Sequence, residues 1–208
     1  MDSTGVRASV SPQGIERIHI VRSTSKSAAA IIASIGMLAG FQTSTRADDT
    51  QAMIAVGSAA PAVVGKSTNA GKTEEFDLFK AVSSGAVVLY FFPKAFTGGC
   101  SIEAKTYSAK LADFAKLGAT VVGISTDPVD VLTKFQAAMG ASQRFVSDPN
   151  GAIAQAYGVS FAYDGAVLAK RVTFVVGKDD KVLYSLAEDS PLTNVQSTLD
   201  WLKKNPQM

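Results

Sequence analysis

Reactive side chains are scarce in this sequence: its 208 residues include one cysteine, Cys100, and one histidine, His19. A lone cysteine excludes an intramolecular disulfide and any zinc site built on cysteine pairs. His19 lies in the first tenth of the chain. Unless that segment joins the folded domain, neither a histidine-based triad nor a histidine-ligated metal is available. No metal and no other cofactor is expected. Glycine shows no collagen-like period, and no tract is of low complexity. Apolar residues make up 47% and charged ones 18%, too apolar a balance for wholesale disorder. The length is enough for a full core without covalent staples.

The apolar stretch from Ala28 to Phe41 is shorter than the roughly 20 residues of a membrane span. The first 47 residues hold five basic side chains, Arg7, Arg17, Arg22, Lys26 and Arg46, against Asp2 and Glu16. A basic segment, an apolar segment and then small residues describe a secretory leader, and Thr45-Arg46-Ala47 fits a cleavage site. Residues 1–47 are therefore expected to be a targeting leader, for export to a bacterial periplasm or alternatively for an organelle. Residues 48–208 form the expected single domain. They carry 15 Lys or Arg and 16 Asp or Glu, a net charge of −1. With no basic cluster interleaved with aromatics, no nucleic acid partner is expected, nor is a membrane span in the mature chain.

Apolar patterning in that domain alternates between strand and helix. Val87 to Phe92 is a continuous β-rich run, as in a strand buried on both faces. Ala104, Tyr107, Leu111 and Phe114 recur at helical spacing, with Gly118 as a stop. Thr120 to Ile124 reads as a second buried strand. Leu132, Phe135 and Met139 mark a second helix, entered through Asp127 as cap and Pro128 in the first turn. Phe145-Val146 is a short strand, turned by Asp148-Pro149-Asn150-Gly151 into a helix bearing Ile153 and Tyr157. Val172–Val176 and Lys181–Leu186 flank Gly-Lys-Asp-Asp as a hairpin. Ser190-Pro191 opens a last helix with Leu192, Val195, Leu199 and Leu202 on one face. This order predicts an α/β protein of thioredoxin-like fold, a central mixed β-sheet flanked by helices.

The chemistry concentrates in the loop after the first buried strand, Pro93-Lys94-Ala95-Phe96-Thr97-Gly98-Gly99-Cys100. Cys100 follows two glycines and begins a helix, so the unpaired N–H groups of the first turn face its sulfur and favour the nucleophilic thiolate. Thr97 is close enough in sequence to set its hydroxyl beside that sulfur, and the glycines let the backbone approach a small substrate. A lone cysteine is also a common buried small hydrophobe. Against that, Cys100 reads as lying outside the apolar stripe of its helix, after a polar loop, with its sulfur exposed. Glu103 reads as an early acid matched to the helix dipole, or as a group that orients others.

At these residues the sequence resembles the peroxiredoxin family. Pro93-x3-Thr97-x2-Cys100 matches its active-site motif. Phe-Phe-Pro-Lys-x-Phe-Thr-x-Gly-Cys-x-x-Glu is similar to its bacterioferritin-comigratory (PrxQ-type) branch. Val56-Gly57-x-x-Ala60-Pro61, Gly123-Ile124-Ser125-x-Asp127 and Arg171-Val172-Thr173-Phe174 extend the likeness from about Val56 to Leu202. The resemblance implies a thioredoxin-like fold and thiol-dependent reduction of hydroperoxides. It implies Cys100, Thr97 and Arg171 as catalytic residues, with Pro93 and Gly99 contacting substrate. Two positions depart from the pattern. Gly98 stands where the branch usually has proline or another constrained residue. Lys105 stands where a resolving cysteine is common.

Because the chain has no second cysteine, the implied enzyme works with one. Cys100 would attack a hydrogen peroxide or organic hydroperoxide, giving a sulfenic acid that an external thiol reduces. Glutathione or a thioredoxin- or glutaredoxin-like protein are the candidate reductants, and the molecule is expected as a monomer or homodimer. The alternative is a non-catalytic thioredoxin-like binding or redox-sensor module that forms a mixed disulfide through Cys100.

Overall fold

A computed structural model describes residues 52–206, so the leader expected over 1–47 lies outside the described residues. The described chain begins its regular structure with a hairpin of β1 (Val64–Asn69) and β2 (Lys72–Asp77). Ala70 and Gly71 join them, both at positive φ (49° and 81°), the tight two-residue turn whose twist suits paired strands. Next comes α1 (Leu78–Val82), capped by the Asp77 carboxylate, which accepts from the Phe79 and Lys80 N–H groups. Apolar runs do not announce these elements. In β2 only Phe76 is buried, as befits a strand at the sheet edge.

From there the expected alternation appears: β3 (Ala86–Phe91), α2 (Gly98–Lys116), β4 (Ala119–Ser125), α3 (Val129–Met139), β5 (Arg144–Ser147) and α4 (Ala152–Ala156). A separate hairpin follows, β6 (Ser160–Tyr163) with β7 (Ala166–Ala169), then β8 (Val172–Val176), β9 (Val182–Ala187) and α5 (Pro191–Lys204). Seven strands form one sheet in the order β2-β1-β5-β4-β3-β8-β9. The neighbours β3, β4 and β5 are parallel, and the remaining pairs antiparallel. This is the mixed sheet flanked by helices that the sequence predicts.

Strand β3 divides the core. Val87, Leu89 and Phe91 face a cluster with Leu78 and Val82 of α1, Ala154 of α4, and Tyr157. Val88 and Tyr90 face the other cluster, with Ala104 and Tyr107 of α2, Leu132 and Phe135 of α3, and Val195, Leu199 and Leu202 of α5. Two local expectations need correction. Leu192 does not join the buried face of α5 but is 59% exposed in the helix's first turn. Asp127 does not cap α3. Pro128 occupies the cap position, and the Asp127 side chain turns the other way. Among the described residues no helix is long and apolar enough to cross a membrane.

One glycine in the sheet is fixed by an aromatic neighbour. A Cβ at Gly123 would lie 2.7 Å from Tyr90 Cζ and 2.9 Å from a Phe145 ring carbon. Tyr90 cannot easily yield, since it stacks on Tyr107 (centroids 4.3 Å apart) and its hydroxyl accepts from Gln143 Nε2 (3.0 Å). Gly123→Ala is therefore expected to destabilise the domain by about 1–3 kcal/mol through overpacking. Urea unfolding checks this as a lowered midpoint at constant slope. An unchanged midpoint would mean that the Tyr90 ring relaxes at no cost.

Candidate active site

Strand register brings the functional segments to one end of the sheet. Phe91, the last residue of β3, pairs with Ile124 in parallel β4 and with Val172 in antiparallel β8. The loop leaving β3, the loop leaving β4 and the residue entering β8 are thus side by side. They carry Pro93–Gly99, Asp127 and Arg171 respectively.

Helix α2 starts at Gly98, with Thr97 extended at the N-cap (φ −81°, ψ 154°). Its first intrahelical bond runs from the Ser101 N–H to the Thr97 carbonyl (2.9 Å), which leaves the amides of Gly98, Gly99 and Cys100 ahead of the ladder. Cys100 is only 2% exposed and packs in one cluster with Phe92, Ala95, Ala104 and Tyr107. This corrects the expectation of an exposed sulfur outside the apolar stripe. Residues 100, 104, 107, 111 and 114 share one face, and Cys100 begins it.

Arg171 reaches this buried sulfur from the start of β8. Its Nη2 lies 3.5 Å from Cys100 Sγ, within donor range of a sulfur, and its Nη1 donates to Glu103 Oε2. Gly99 leaves room for this approach: a Cβ there would sit 3.1 Å from Nη2, so the guanidinium would have to shift by a few tenths of an ångström. Glu103 is not a surface acid of the first turn but fully buried, with Oε1 lacking any partner. Burial pushes its carboxyl up to about 8, against the pull of the Arg171 charge and hydrogen bond. Burial also disfavours the Arg171 charge, yet Glu103 and the Cys100 sulfur outweigh it and hold the guanidinium above its ordinary value.

The loop before the helix is held from outside. Thr97 Oγ1 donates to the Lys94 carbonyl (3.0 Å) rather than to the sulfur, correcting the expected contact. Phe96 is left-handed (φ 64°), a conformation that costs a side-chain-bearing residue roughly 1–2 kcal/mol, and its ring meets Phe135 edge-on at 5.3 Å. Asp127, 1% exposed, accepts the Ala95 N–H (2.7 Å) and pairs with Lys94 Nζ (3.1 Å). Gly98 has open space where a Cβ would point.

Beside Pro93 and Thr97 opens a groove of about 510 Å³, closed on its far side by Phe161, Tyr163, Ala166 and Leu168 of the β6–β7 hairpin. A second hollow of about 480 Å³ shares Pro93 and Phe161 and reaches Arg171. Pro93, Thr97, Gly99, Cys100 and Arg171, the residues singled out in the sequence, lie together at this end of the sheet, whereas the hairpin was not anticipated. Its signal was Asp164-Gly165 between two short alternating runs, and both residues have positive φ (48° and 74°).

Comparison with known proteins agrees with this arrangement. Residues 56–185 match the AhpC/TSA family. A Mycobacterium tuberculosis protein named "Putative peroxiredoxin Rv1608c" is 41% identical over 103 residues, 49% of this chain and 67% of its own length. The crystal structure of peroxidoxin BcpB from Mycobacterium tuberculosis superposes with a TM-score of 0.66 at 31% identity, covering 72% of this chain and 97% of that one. That of the Xanthomonas campestris bacterioferritin comigratory protein gives 0.61 at 25% identity, covering 69% and 91%. With a buried cysteine at a helix start, read by an arginine from the neighbouring strand, this chain belongs to the AhpC/TSA family, as a peroxiredoxin of the bacterioferritin-comigratory (PrxQ) branch.

Proposed function

We propose that the protein is a one-cysteine thiol peroxidase in which Cys100 reduces hydroperoxides and an external thiol restores it. The observation that carries this reading is one partly buried guanidinium, on Arg171, shared between the Cys100 sulfur and Glu103. A positive charge fixed within 3.5 Å of a sulfur at a helix start is placed to stabilise the negative charge that moves onto the leaving oxygen.

In the proposed reaction the sulfur attacks the terminal oxygen of ROOH. The S–O bond forms as the O–O bond breaks, RO⁻ takes a proton to leave as ROH, and Cys100 becomes a sulfenic acid. The amides of Gly99 and Cys100 donate to the peroxide oxygens, Thr97 Oγ1, whose own proton goes to the Lys94 carbonyl, accepts the peroxide O–H, and Pro93 borders the pocket. A first external thiol condenses with the sulfenic acid, releasing water and forming a mixed disulfide; a second thiol then frees Cys100. Lys105, exposed where a resolving cysteine is common in this branch, supports the need for an external thiol. The apolar groove beside Pro93 suits organic hydroperoxides as well as hydrogen peroxide. The relative from Xanthomonas campestris is described by its alkyl peroxide reduction activity, which supports that range. Burial of Cys100, 2% exposed, bears alike on recycling and on the alternative of a docking module, since an external thiol and a partner's disulfide both need local opening to reach the sulfur.

One equivalent of hydrogen peroxide at pH 7 is expected to add a single oxygen to the parent and none to Cys100→Ser, as read by intact mass. Added thiol should reverse it. No adduct within minutes would sink the peroxidase reading. Arg171→Ala should lower the second-order rate constant of Cys100 oxidation by roughly 10²–10³, the scale seen when one preorganised donor to a developing charge is removed. Competition kinetics measure it, and an unchanged constant would remove Arg171 from the mechanism.

Glu103 adds a pH signature. Its folded value, about 8, lies above the ordinary 4.5, so the folded state holds a proton that the unfolded state has lost between those limits. Stability from this group is complete below about 4.5 and declines as pH rises toward about 8. Glu103→Gln, which stays neutral, is expected to flatten that decline in urea titrations across the interval. Parallel curves for parent and variant would show that Glu103 titrates as an ordinary carboxyl.

A further inference from the structure

Asp127 lies outside the charge cluster at Cys100, yet its carboxylate is almost completely buried and spends its bonds on the catalytic loop. Oδ2 accepts the Ala95 N–H (2.7 Å) and the Ser125 hydroxyl (3.0 Å), and Oδ1 pairs with Lys94 Nζ (3.1 Å). Asp127 is itself anchored: its N–H donates to Ser125 Oγ (3.2 Å), and its carbonyl accepts from Ser147 Oγ (2.7 Å) of β5. The anchor therefore belongs to the sheet, and what it holds belongs to the loop. Proline at the α3 cap position frees the carboxylate from the helix-capping role that its place before a helix would suggest.

The bonds form a path to the reacting residues. Lys94 and Ala95, both held by Asp127, immediately precede left-handed Phe96. The Lys94 carbonyl then receives the Thr97 hydroxyl (3.0 Å), and Thr97 is the N-cap of the helix turn that carries Cys100. Ala95 packs in the same buried cluster as Cys100. A backbone in an unfavourable conformation persists only where surrounding contacts over-determine it. Here a buried charge, which cannot be left without donors at low cost, supplies that determination from one side and the Phe96–Phe135 contact from the other.

Building on the peroxidase reading, we propose that Asp127 is a positioning residue. It clamps the Pro93–Thr97 loop to the end of β4, and so sets both how well Cys100 meets peroxide and how often its sulfur becomes accessible to a bulkier external thiol. The two effects have opposite signs. A fixed loop favours oxidation of a buried sulfur. Release of the loop favours attack by a large reagent on that same sulfur.

The test uses the full chain, with Asp127→Ala, Asp127→Asn and Ser125→Ala. Two rates are read: oxidation of Cys100 by hydrogen peroxide, and alkylation of reduced Cys100 by a bulky maleimide in subdenaturing urea. Asp127→Ala is expected to slow oxidation at least tenfold and to speed alkylation several-fold, by openings that do not depend on urea and hence are local. Asp127→Asn keeps an acceptor for Ala95 N–H and should recover part of both. Ser125→Ala removes the hydroxyl that anchors Asp127 and donates to Oδ2 but keeps the Ala95 and Lys94 bonds, so it should move both rates in the same directions by less than Asp127→Ala does. Unchanged rates in a folded Asp127→Ala overturn the proposal, as does faster alkylation that tracks global unfolding. Should Asp127→Ala fail to fold, Asp127→Asn decides by the same criteria. Failure of the peroxidase reading is distinct: the parent itself would then react with peroxide no faster than a free thiol, whereas the alkylation ratio would still report the clamp.

Discussion

The pairing of β3 with its two neighbours is the constraint from which the site follows. All six residues of β3 are buried, so this strand can only be central, with one neighbour on each side. Parallel pairing to β4 aligns the carboxyl ends of both strands, and antiparallel pairing to β8 aligns the beginning of that strand with them. The chain leaves β3 through Pro93, leaves β4 through Asp127 and enters β8 from Arg171. Side chains separated by dozens of residues meet at one sheet end because hydrogen-bond register permits nothing else, and open α/β sheets keep their ligand crevices at such ends.

Two buried acidic side chains organise what meets there. Glu103 holds one side of the Arg171 guanidinium and leaves the other side for the Cys100 sulfur. Asp127 holds the loop that leads into the cysteine's helix turn. Removal from water strengthens both sets of bonds and makes any missing partner expensive. The site is therefore rigid for electrostatic reasons, while the groove beside it is apolar and formed by packing. The charged cluster and the groove rest on different physics in adjacent volumes.

The sheet and the cysteine loop were legible in the sequence for the same reason: each has a local signature. Val87–Phe92 is too apolar for anything but a central strand, and two glycines before Cys100 at a helix start have few structural uses. The elements that went unread lack apolar runs. β2 is an edge strand with one buried residue, and β6–β7 is a hairpin whose outer residues, among them Tyr163 and Val167, are exposed. Their signals were turn residues, Ala70-Gly71 and Asp164-Gly165, rather than hydrophobic patterning. Cys100 was misjudged as lying off the stripe of its helix because the loop before it is polar, although its spacing to Ala104 and Tyr107 is that of a shared face.

By itself the sequence determined the α/β class, the strand–helix order and that Cys100 is its single cysteine. These follow from composition and short-range periodicity, which act within a few residues. Tertiary structure alone decided that Cys100 and Glu103 are buried, that Arg171 lies between them, and that Asp127 serves a loop rather than the helix it precedes. Burial and charge pairing are properties of volume. They depend on which strand ends the sheet brings together, and no local pattern encodes the dielectric surroundings of a side chain whose partners are about 30 to 70 residues away.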